Sequence, residues 1–146
     1  MVKLYKNFNI NKNHKESIIL IGNFDGVHLG HQKLFKLAIS YKKKYNLKIG
    51  VINFDPMPKM FFNKFLKNFR LSSINQKLNL INNFGVDFLV TKKFDKTFSK
   101  TKSINFIKNI LSNKLKARFI FVSNNFRFGN KREGDVEFLI KNEKKI

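Results

Sequence analysis

Two histidines three residues apart, His28 and His31, are the side chains whose type and spacing most clearly suggest chemistry. Glycines are interleaved with them, at Gly22, Gly26 and Gly30. On the first turn of a helix, residues three apart point the same way. Two imidazoles placed so can donate hydrogen bonds to phosphate oxygens and stabilise charge while a phosphoryl bond breaks. Glycines, which have no Cβ, let a ligand approach the backbone. We therefore predict a phosphate-handling site in residues 22–31.

The flanking residues indicate which elements hold this site. A short apolar run, 18–21, precedes it and is typical of a buried strand. Apolar residues at helical spacing follow it, which predicts a helix that starts near His28. The free N–H groups and positive dipole end of such a helix would face the glycine-rich turn and attract an anion. The stripe predicted to face the core is Leu34, Leu37, Ala38, Tyr41 and Tyr45.

The stretch GNFDGVHLGH resembles the H-x-G-H signature of the nucleotidyltransferase superfamily. Its N-F-D-G-V-H form resembles the FMN adenylyltransferase (FAD synthetase) module of bacterial riboflavin kinase/FAD synthetase. The resemblance implies an α/β, Rossmann-like nucleotidyltransferase fold with a parallel sheet and flanking helices. It also implies ATP and FMN as substrates, Mg²⁺ entering with ATP, no metal ligands of the protein itself, and a catalytic role for His28 and His31. The ATP-binding residues implied here are Gly22, Asn23, Phe24, Asp25, Gly26, His28, Gly30 and His31.

A proline-rich segment, 54–62, follows the next predicted strand, 48–54. Proline fixes φ and ends a strand, so we predict a stiff apolar loop beyond the carboxyl end of the sheet, suited to a flat ring. The segment resembles the family's F-x-P-H-P pattern, which implies that Pro56, Pro58 and Phe62 bind FMN. Met57 stands where the family usually has histidine, so a hydrogen bond from that position is lost. The alternative is a loop that only covers the edge of the core.

A second motif, 123–135, reads SNNFRFGNKREGD and resembles the family's G-x-[ND]-F-R-F-G-x-x-R-x-G-D. Arginine forks suit phosphate, and an amide both donates and accepts hydrogen bonds. The resemblance implies that Asn125 belongs to the catalytic and ATP-binding set, Arg127 to the ATP site and Phe128 to the FMN pocket. Ser123 replaces a usual glycine, which predicts less backbone freedom there. Read alone, this basic and aromatic loop also fits RNA stacking.

The remaining segments predict architecture. We expect a short strand or loose arm in 1–16 with His14 exposed, and a helix from Ile74 that has Ser73 as N-cap and ends near Gly85. Strands are expected at 86–90 and 117–122. Further predictions are a loop at 94–98, a helix capped by Thr101 or Ser103, a final helix capped by Asp135, and Phe106 either in the core or at the flavin pocket.

Composition limits the classes of protein. The 146 residues suit one domain, and the absence of cysteine excludes disulfides and thiolate catalysis. There is no signal-peptide core or long apolar run, so we expect a cytoplasmic chain that does not bind a membrane. The oligomeric state is left open by the sequence. The net charge of +21 comes mostly from scattered lysines. That pattern fits A/T-biased codons as well as a polyanion-binding surface, so no specific nucleic acid is expected.

The family resemblance covers residues 17–140. In the family a Ser/Thr-rich motif ending in arginine and then a riboflavin kinase barrel follow. We therefore expect 1–146 to be a truncated FAD synthetase domain, incomplete at its C-terminus and lacking the kinase, that binds nucleotide weakly and turns over poorly. Two alternatives remain open. One is an adenylyl- or cytidylyltransferase for another phosphorylated acceptor, and the other is a non-enzymatic, basic nucleic-acid-binding module.

Overall fold

The computed structural model describes residues 1–24, 29–63 and 74–146. Within these ranges five strands form one sheet in the order β1-β4-β3-β2-β5, and every neighbouring pair is parallel. The predicted parallel α/β architecture is confirmed. The strands are β1 (Lys3–Tyr5), β2 (Ile18–Ile21), β3 (Ile49–Asp55), β4 (Phe88–Lys93) and β5 (Phe119–Phe121).

Helices connect successive strands and cover both faces of the sheet. They are α1 (Leu29–Tyr45), α2 (Pro58–Phe62), α3 (Ile74–Asn82), α4 (Lys96–Ser99), α5 (Ser103–Asn105) and α6 (Val136–Lys141). Helix α5 runs directly into a π-helical segment, Phe106–Lys114, and short 3₁₀ turns occupy Lys12–His14, Asn130–Arg132 and Glu143–Lys145. Two predicted loops therefore contain helical turns, α2 and α4. None of the helices in the described ranges has the length and hydropathy needed to cross a bilayer.

The alternation of side chains along each strand divides the core into two layers. Ile18 and Leu20 of β2 pack toward α1 and α3, whereas Ile19 and Ile21 pack toward the π-helical segment. The predicted stripe of α1 is partly wrong. Phe35 is fully buried beside Ala38, whereas two predicted members, Leu37 and Tyr45, are 45% and 42% exposed.

The orientation of α1 about its own axis follows from one contact. The Phe35 ring stacks on Phe84, which follows α3, with a centroid distance of 4.8 Å. Burying this large ring turns Leu37 toward solvent.

The direction in which strands are added to the sheet reverses at β2, which makes β2 the topological switch point of the sheet. The chain builds β3 and β4 on one side of β2 and then crosses back to place β5 on the other side. In open parallel sheets, ligands bind beyond the carboxyl ends of the strands at such a point. The carboxyl end of β2 continues into the glycine-rich stretch, whose Gly22 N–H donates to Ile52 O at 3.0 Å.

A polar cluster joins the carboxyl ends of β3 and β4. The Asn53 amide, oriented to satisfy its neighbours, donates to Val90 O at 3.2 Å and to Thr91 Oγ1 at 2.8 Å. Its oxygen accepts from Lys77 Nζ of α3 at 3.2 Å, although Asn53 and Lys77 are each only 3% exposed. A buried ammonium needs such partners, so this cluster fixes α3 against the edge of the sheet that carries the site.

The prediction that His14 is exposed is wrong. Its side chain is buried, with its ring stacked on Phe88 at 4.7 Å and its Nδ1 within 2.6 Å of Tyr5 Oη. Tyr5 Oη also accepts from the Asn11 N–H at 3.1 Å, so its own proton is available for His14 Nδ1. Burial lowers the pKa of His14, and the charge of Lys48 lowers it further.

A histidine that stays neutral in the folded protein makes stability depend on pH. As pH falls through about 6.5, the unfolded chain takes up a proton that folded His14 resists. We therefore expect the free energy of unfolding, measured in urea, to fall between pH 7.5 and pH 5.5. His14→Asn keeps an acceptor for Tyr5 and should reduce this fall. An unchanged pH slope in the variant would contradict the assignment.

Candidate functional site

A cavity of about 830 Å³ opens at the carboxyl edge of the sheet. Its walls come from the segments that follow β2, β3, β4 and β5, together with the start of the π-helical segment. Many of the lining residues are phenylalanines, and the polar lining groups are amides, hydroxyls and two guanidinium groups. It comprises Asn23, Phe54, Pro58, Phe62, Asn63, Phe94, Phe98, Ser99, Thr101, Phe106, Asn125, Phe126, Arg127, Phe128, Gly129 and Arg132.

One wall of the cavity is a set of phenylalanines in contact with one another. The Phe98 ring lies 5.4 Å from Phe54 and 5.7 Å from Phe94, and Phe62 lies 5.9 Å from Phe94. These centroid distances are in the range at which aromatic pairs attract one another. Phe62 is 64% exposed. The set therefore forms an apolar surface that remains open to a planar ligand.

Another part of the lining is the loop that follows β5. Phe126 and Phe128 stack at 5.4 Å with an interplanar angle of 15°. Phe128 also contacts Phe106 at 5.5 Å. Phe106, for which the sequence left core and pocket edge open, is both: it is 3% exposed and lines the cavity.

Side-chain hydrogen bonds orient the polar groups of the cavity. The Phe54 N–H donates to Asn23 Oδ1 at 3.3 Å, which ties the stretch after β2 to β3. Ser123 Oγ donates to Asn125 Oδ1 at 2.9 Å and thereby leaves the Asn125 NH₂ group as a donor for a ligand. Ser123 has no left-handed backbone, so it does not need the freedom of the glycine it replaces.

The charges at the cavity are positive. Among the lining residues that the structure describes, only Arg127 and Arg132 are charged. Arg127 Nη1 lies 3.7 Å from Asp135 Oδ2, and both side chains are well exposed. Such an exposed pair is weak, so the Arg127 guanidinium can turn toward an anionic ligand.

The loop carrying these groups is fastened to the start of α5. Glu133 Oε1 accepts from the Ser103 N–H at 2.9 Å and from Ser103 Oγ at 3.1 Å. These two bonds lower the pKa of the Glu133 carboxyl group, the backbone bond having the larger effect. The prediction that Thr101 or Ser103 caps this helix is wrong, because the cap comes from a side chain thirty positions further along the chain. The predicted Asp135 cap is confirmed by a 2.8 Å bond from the Phe138 N–H.

Six of the predicted site residues meet in the cavity: Asn23, Pro58, Phe62, Asn125, Arg127 and Phe128. Others lie outside its lining. Pro56 is partly buried, and Met57 is 6% exposed and does not line the cavity.

Apart from Asn23, the described residues of the first motif are not among the lining residues. Gly22 directly follows β2, Gly30 lies in the first turn of α1, and the His31 ring meets Phe24 edge-on at 4.9 Å. Phe24 itself packs on Phe35 at 5.2 Å and is 3% exposed, so any contact with a nucleotide there falls to its backbone. Predicted residues outside the described ranges are Asp25, Gly26, His28 and Ser73.

Sequence reasoning missed several lining residues, above all Phe94 and Phe98. The available signal was a pair of aromatics four residues apart directly after a strand, in a segment interpreted as a plain loop. Helix α4, capped by Asp95 Oδ1 at 2.8 Å from the Phe98 N–H, brings the two rings onto the same wall.

Comparison with known proteins identifies the family of this chain. The family model described as FAD synthetase matches residues 10–146. The chain belongs to the FAD synthetase family. The match includes every strand that leads into the cavity, β2 to β5.

The similar proteins are longer than this chain. A bifunctional riboflavin kinase/FMN adenylyltransferase of Buchnera aphidicola subsp. Acyrthosiphon pisum is 40% identical over 133 residues, which are 91% of this chain and 42% of that protein. The protein of the same name from Escherichia coli K12 is 37% identical over 124 residues, 85% of this chain and 40% of its own length. The chain thus spans about 40% of the length of these two relatives.

A solved structure has the same fold. The structure titled as a macrolide-efflux protein from Streptococcus pneumoniae aligns with a TM-score of 0.83 over 97% of this chain and 55% of that one. The identity is 23%, so the similarity concerns the fold alone.

The packing of the loop after β5 on α5 generates a prediction for Gly129. Both positions have a positive φ, +81° at Gly129 and +74° at Gly85, and Gly129 also has ψ 177°, a conformation that essentially only glycine adopts. A Cβ on Gly129 would lie 2.8 Å from the Ser103 backbone, whereas one on Gly85 finds its nearest neighbour at 4.0 Å. Urea unfolding should show Gly129→Ala less stable than Gly85→Ala by about 1–3 kcal/mol. Equal losses would contradict the close packing.

Proposed function

We propose that this chain is an FMN adenylyltransferase module, which transfers AMP from ATP to FMN and yields FAD and pyrophosphate. The observation that supports the proposal most directly is the cavity, in which an aromatic wall and phosphate-seeking groups converge at the switch point of a FAD synthetase family member. Its volume of about 830 Å³ suits a ligand with a three-ring system.

The aromatic wall is the proposed flavin site. Isoalloxazine is flat and largely apolar, and the lining of the cavity includes the rings of Phe98, Phe62 and Phe128. Pro58 fixes the start of α2 and so the position of Phe62. Pro56 supports this segment from outside the lining. The flavin phosphate would then point toward Arg127 and the Asn125 amide.

The nucleotide site is proposed at the N-terminal end of α1. The N–H groups of the first turn of α1, with His28 and His31, would receive the phosphates of ATP, and Gly22, Asn23, Asp25, Gly26 and Gly30 would let the nucleotide approach the backbone. A phosphate oxygen of FMN attacks the α-phosphorus of ATP. The bond between that phosphorus and the bridging oxygen breaks, and pyrophosphate leaves with the electron pair. The residues would align the two phosphates and stabilise the developing charge.

The metal of the reaction is proposed to arrive with its substrate, as MgATP. Within residues 1–24, 29–63 and 74–146, no group of three or more histidine or carboxylate side chains converges. Magnesium is commonly held mainly by substrate phosphates and water. The predicted cytoplasmic location and the lack of a specific nucleic-acid partner remain predictions.

The choice of acceptor tests the proposal. The natural protein that contains this sequence, given MgATP, should convert FMN to FAD with release of one pyrophosphate per FAD, as followed by chromatography and a coupled pyrophosphate assay. Phosphopantetheine in place of FMN should give no product above background, because it has no planar ring that could stack on the aromatic wall. Product from phosphopantetheine and none from FMN would favour the alternative acceptor class.

The two histidines test the proposed nucleotide site. His28→Ala and His31→Ala should each lower kcat for FAD synthesis about 10²–10³-fold, the range found when one donor to a developing charge is removed. Lys33→Ala, an exposed change on the same helix, should leave kcat within about twofold. Histidine variants as active as the Lys33 control would refute this role.

A further inference from the structure

We propose that Glu133 is a positioning residue for flavin binding: by capping α5 it holds the loop after β5 in the conformation that places Phe128 and Phe126 in the cavity. The inference rests on the proposed function, since it concerns the flavin wall of that same site. It adds a residue that neither lines the cavity nor belongs to the predicted site residues.

The first step is the chemistry of the helix start. Lys102 occupies the N-cap position of α5, and its side chain makes no capping bond. The first N–H groups of a helix need an acceptor from elsewhere, and a negative charge there is favoured by the helix dipole. Glu133 supplies both, because one of its carboxylate oxygens accepts from the N–H and from the hydroxyl of Ser103.

The second step is that the contact leaves little room for the loop to move. The Asn130 N–H donates to Thr101 O at 2.7 Å, a second connection between the loop and the residues before α5. The α-carbon of Gly129 approaches Ser103 so closely that a Cβ would lie 2.8 Å from its backbone. The loop is thus fixed on α5 by two hydrogen-bonded connections and by direct contact.

The third step links this attachment to the aromatic wall. Residues 128 and 134 exchange two backbone hydrogen bonds, from the Phe128 N–H to Gly134 O at 3.1 Å and from the Gly134 N–H to Phe128 O at 2.8 Å. Gly134 directly follows Glu133, so the position of the carboxylate sets the position of the Phe128 backbone. Phe126 stacks on Phe128 and moves with it.

Loss of this attachment should affect the binding of the two substrates to different extents. The wall formed by Phe126 and Phe128 is proposed to contact flavin, whereas the N-terminal end of α1, which packs in the layer on the opposite face of the sheet, is proposed to bind the nucleotide phosphates. Asn125 and Arg127 of the same loop are implied in the ATP site, so loss of the Glu133 cap should weaken FMN binding more than ATP binding without leaving ATP binding untouched. A residue with only a general structural role would weaken the binding of both substrates equally or lower the stability of the whole domain.

The experiment is a double-mutant cycle on FMN binding. The Kd for FMN, measured by quenching of flavin fluorescence, should rise about tenfold in Glu133→Ala, because a charge-assisted hydrogen bond is lost. Ser103→Ala removes only the hydroxyl bond and should raise Kd less. The double variant should be no worse than Glu133→Ala, since both changes break the same contact.

Two controls separate this effect from loss of folding. Glu137→Ala, an exposed carboxylate in the first turn of α6, should leave Kd for FMN within about twofold, as surface changes usually do. KM for MgATP should rise by a smaller factor than Kd for FMN in Glu133→Ala. Should that variant fold poorly, Glu133→Gln, which keeps one acceptor oxygen, takes its place and should give an intermediate Kd.

A readout that needs no ligand completes the test. Hydrogen exchange of the Ser103 and Gly134 amides should be faster in Glu133→Ala than in the wild type, with exchange in β3 unchanged. Unchanged FMN binding in Glu133→Ala, with a wild type that does bind FMN, would overturn the inference and leave the proposed function standing. A wild-type protein that does not bind FMN would overturn both.

Discussion

Parallel pairing of the strands is the constraint on which the site depends. Because β2 pairs in parallel with both β3 and β5, and β3 with β4, the four chain segments that leave these strands all emerge at one edge of the sheet. This pairing brings residues as distant in sequence as Asn23 and Asn125 into one cavity. The backbone hydrogen bonds of the sheet thus determine which side chains can act together, and the loops determine how.

Local patterns in the sequence predicted the frame well. The apolar run at β2, the helical spacing of α1 and the second strand at β3 depend on period and on residues near in sequence, so they can be recognised without the fold. The same holds for Asp135, whose capping bond reaches only three residues ahead. Family resemblance then selected Pro58, Phe62 and Phe128, which do meet at the cavity.

The failures share a physical reason, which is that they depend on contacts between distant segments. His14 looked like a polar residue in a polar arm, yet Phe88, seventy-four positions away, gives its ring a stacking partner and removes it from water. The cap of α5 was sought in the preceding residues and came from Glu133. Phe35 was omitted from the stripe of α1 because only its partner Phe84 determines the rotation of that helix.

The two layers of the core would place the two proposed substrates on different faces of the sheet. The cavity and its phenylalanines belong to the layer that contains Phe106 and the π-helical segment, whereas Phe24, Phe35 and α1 belong to the layer on the opposite face of the sheet. An acceptor bound in the first layer and a nucleotide bound at the start of α1 would therefore approach the sheet edge from opposite faces. Asn23 lies where they would meet, since it follows β2, lines the cavity and is fixed by the Phe54 N–H. In-line attack requires the entering and leaving oxygens on opposite sides of the phosphorus, and two substrates that reach the sheet edge from opposite faces would meet that requirement.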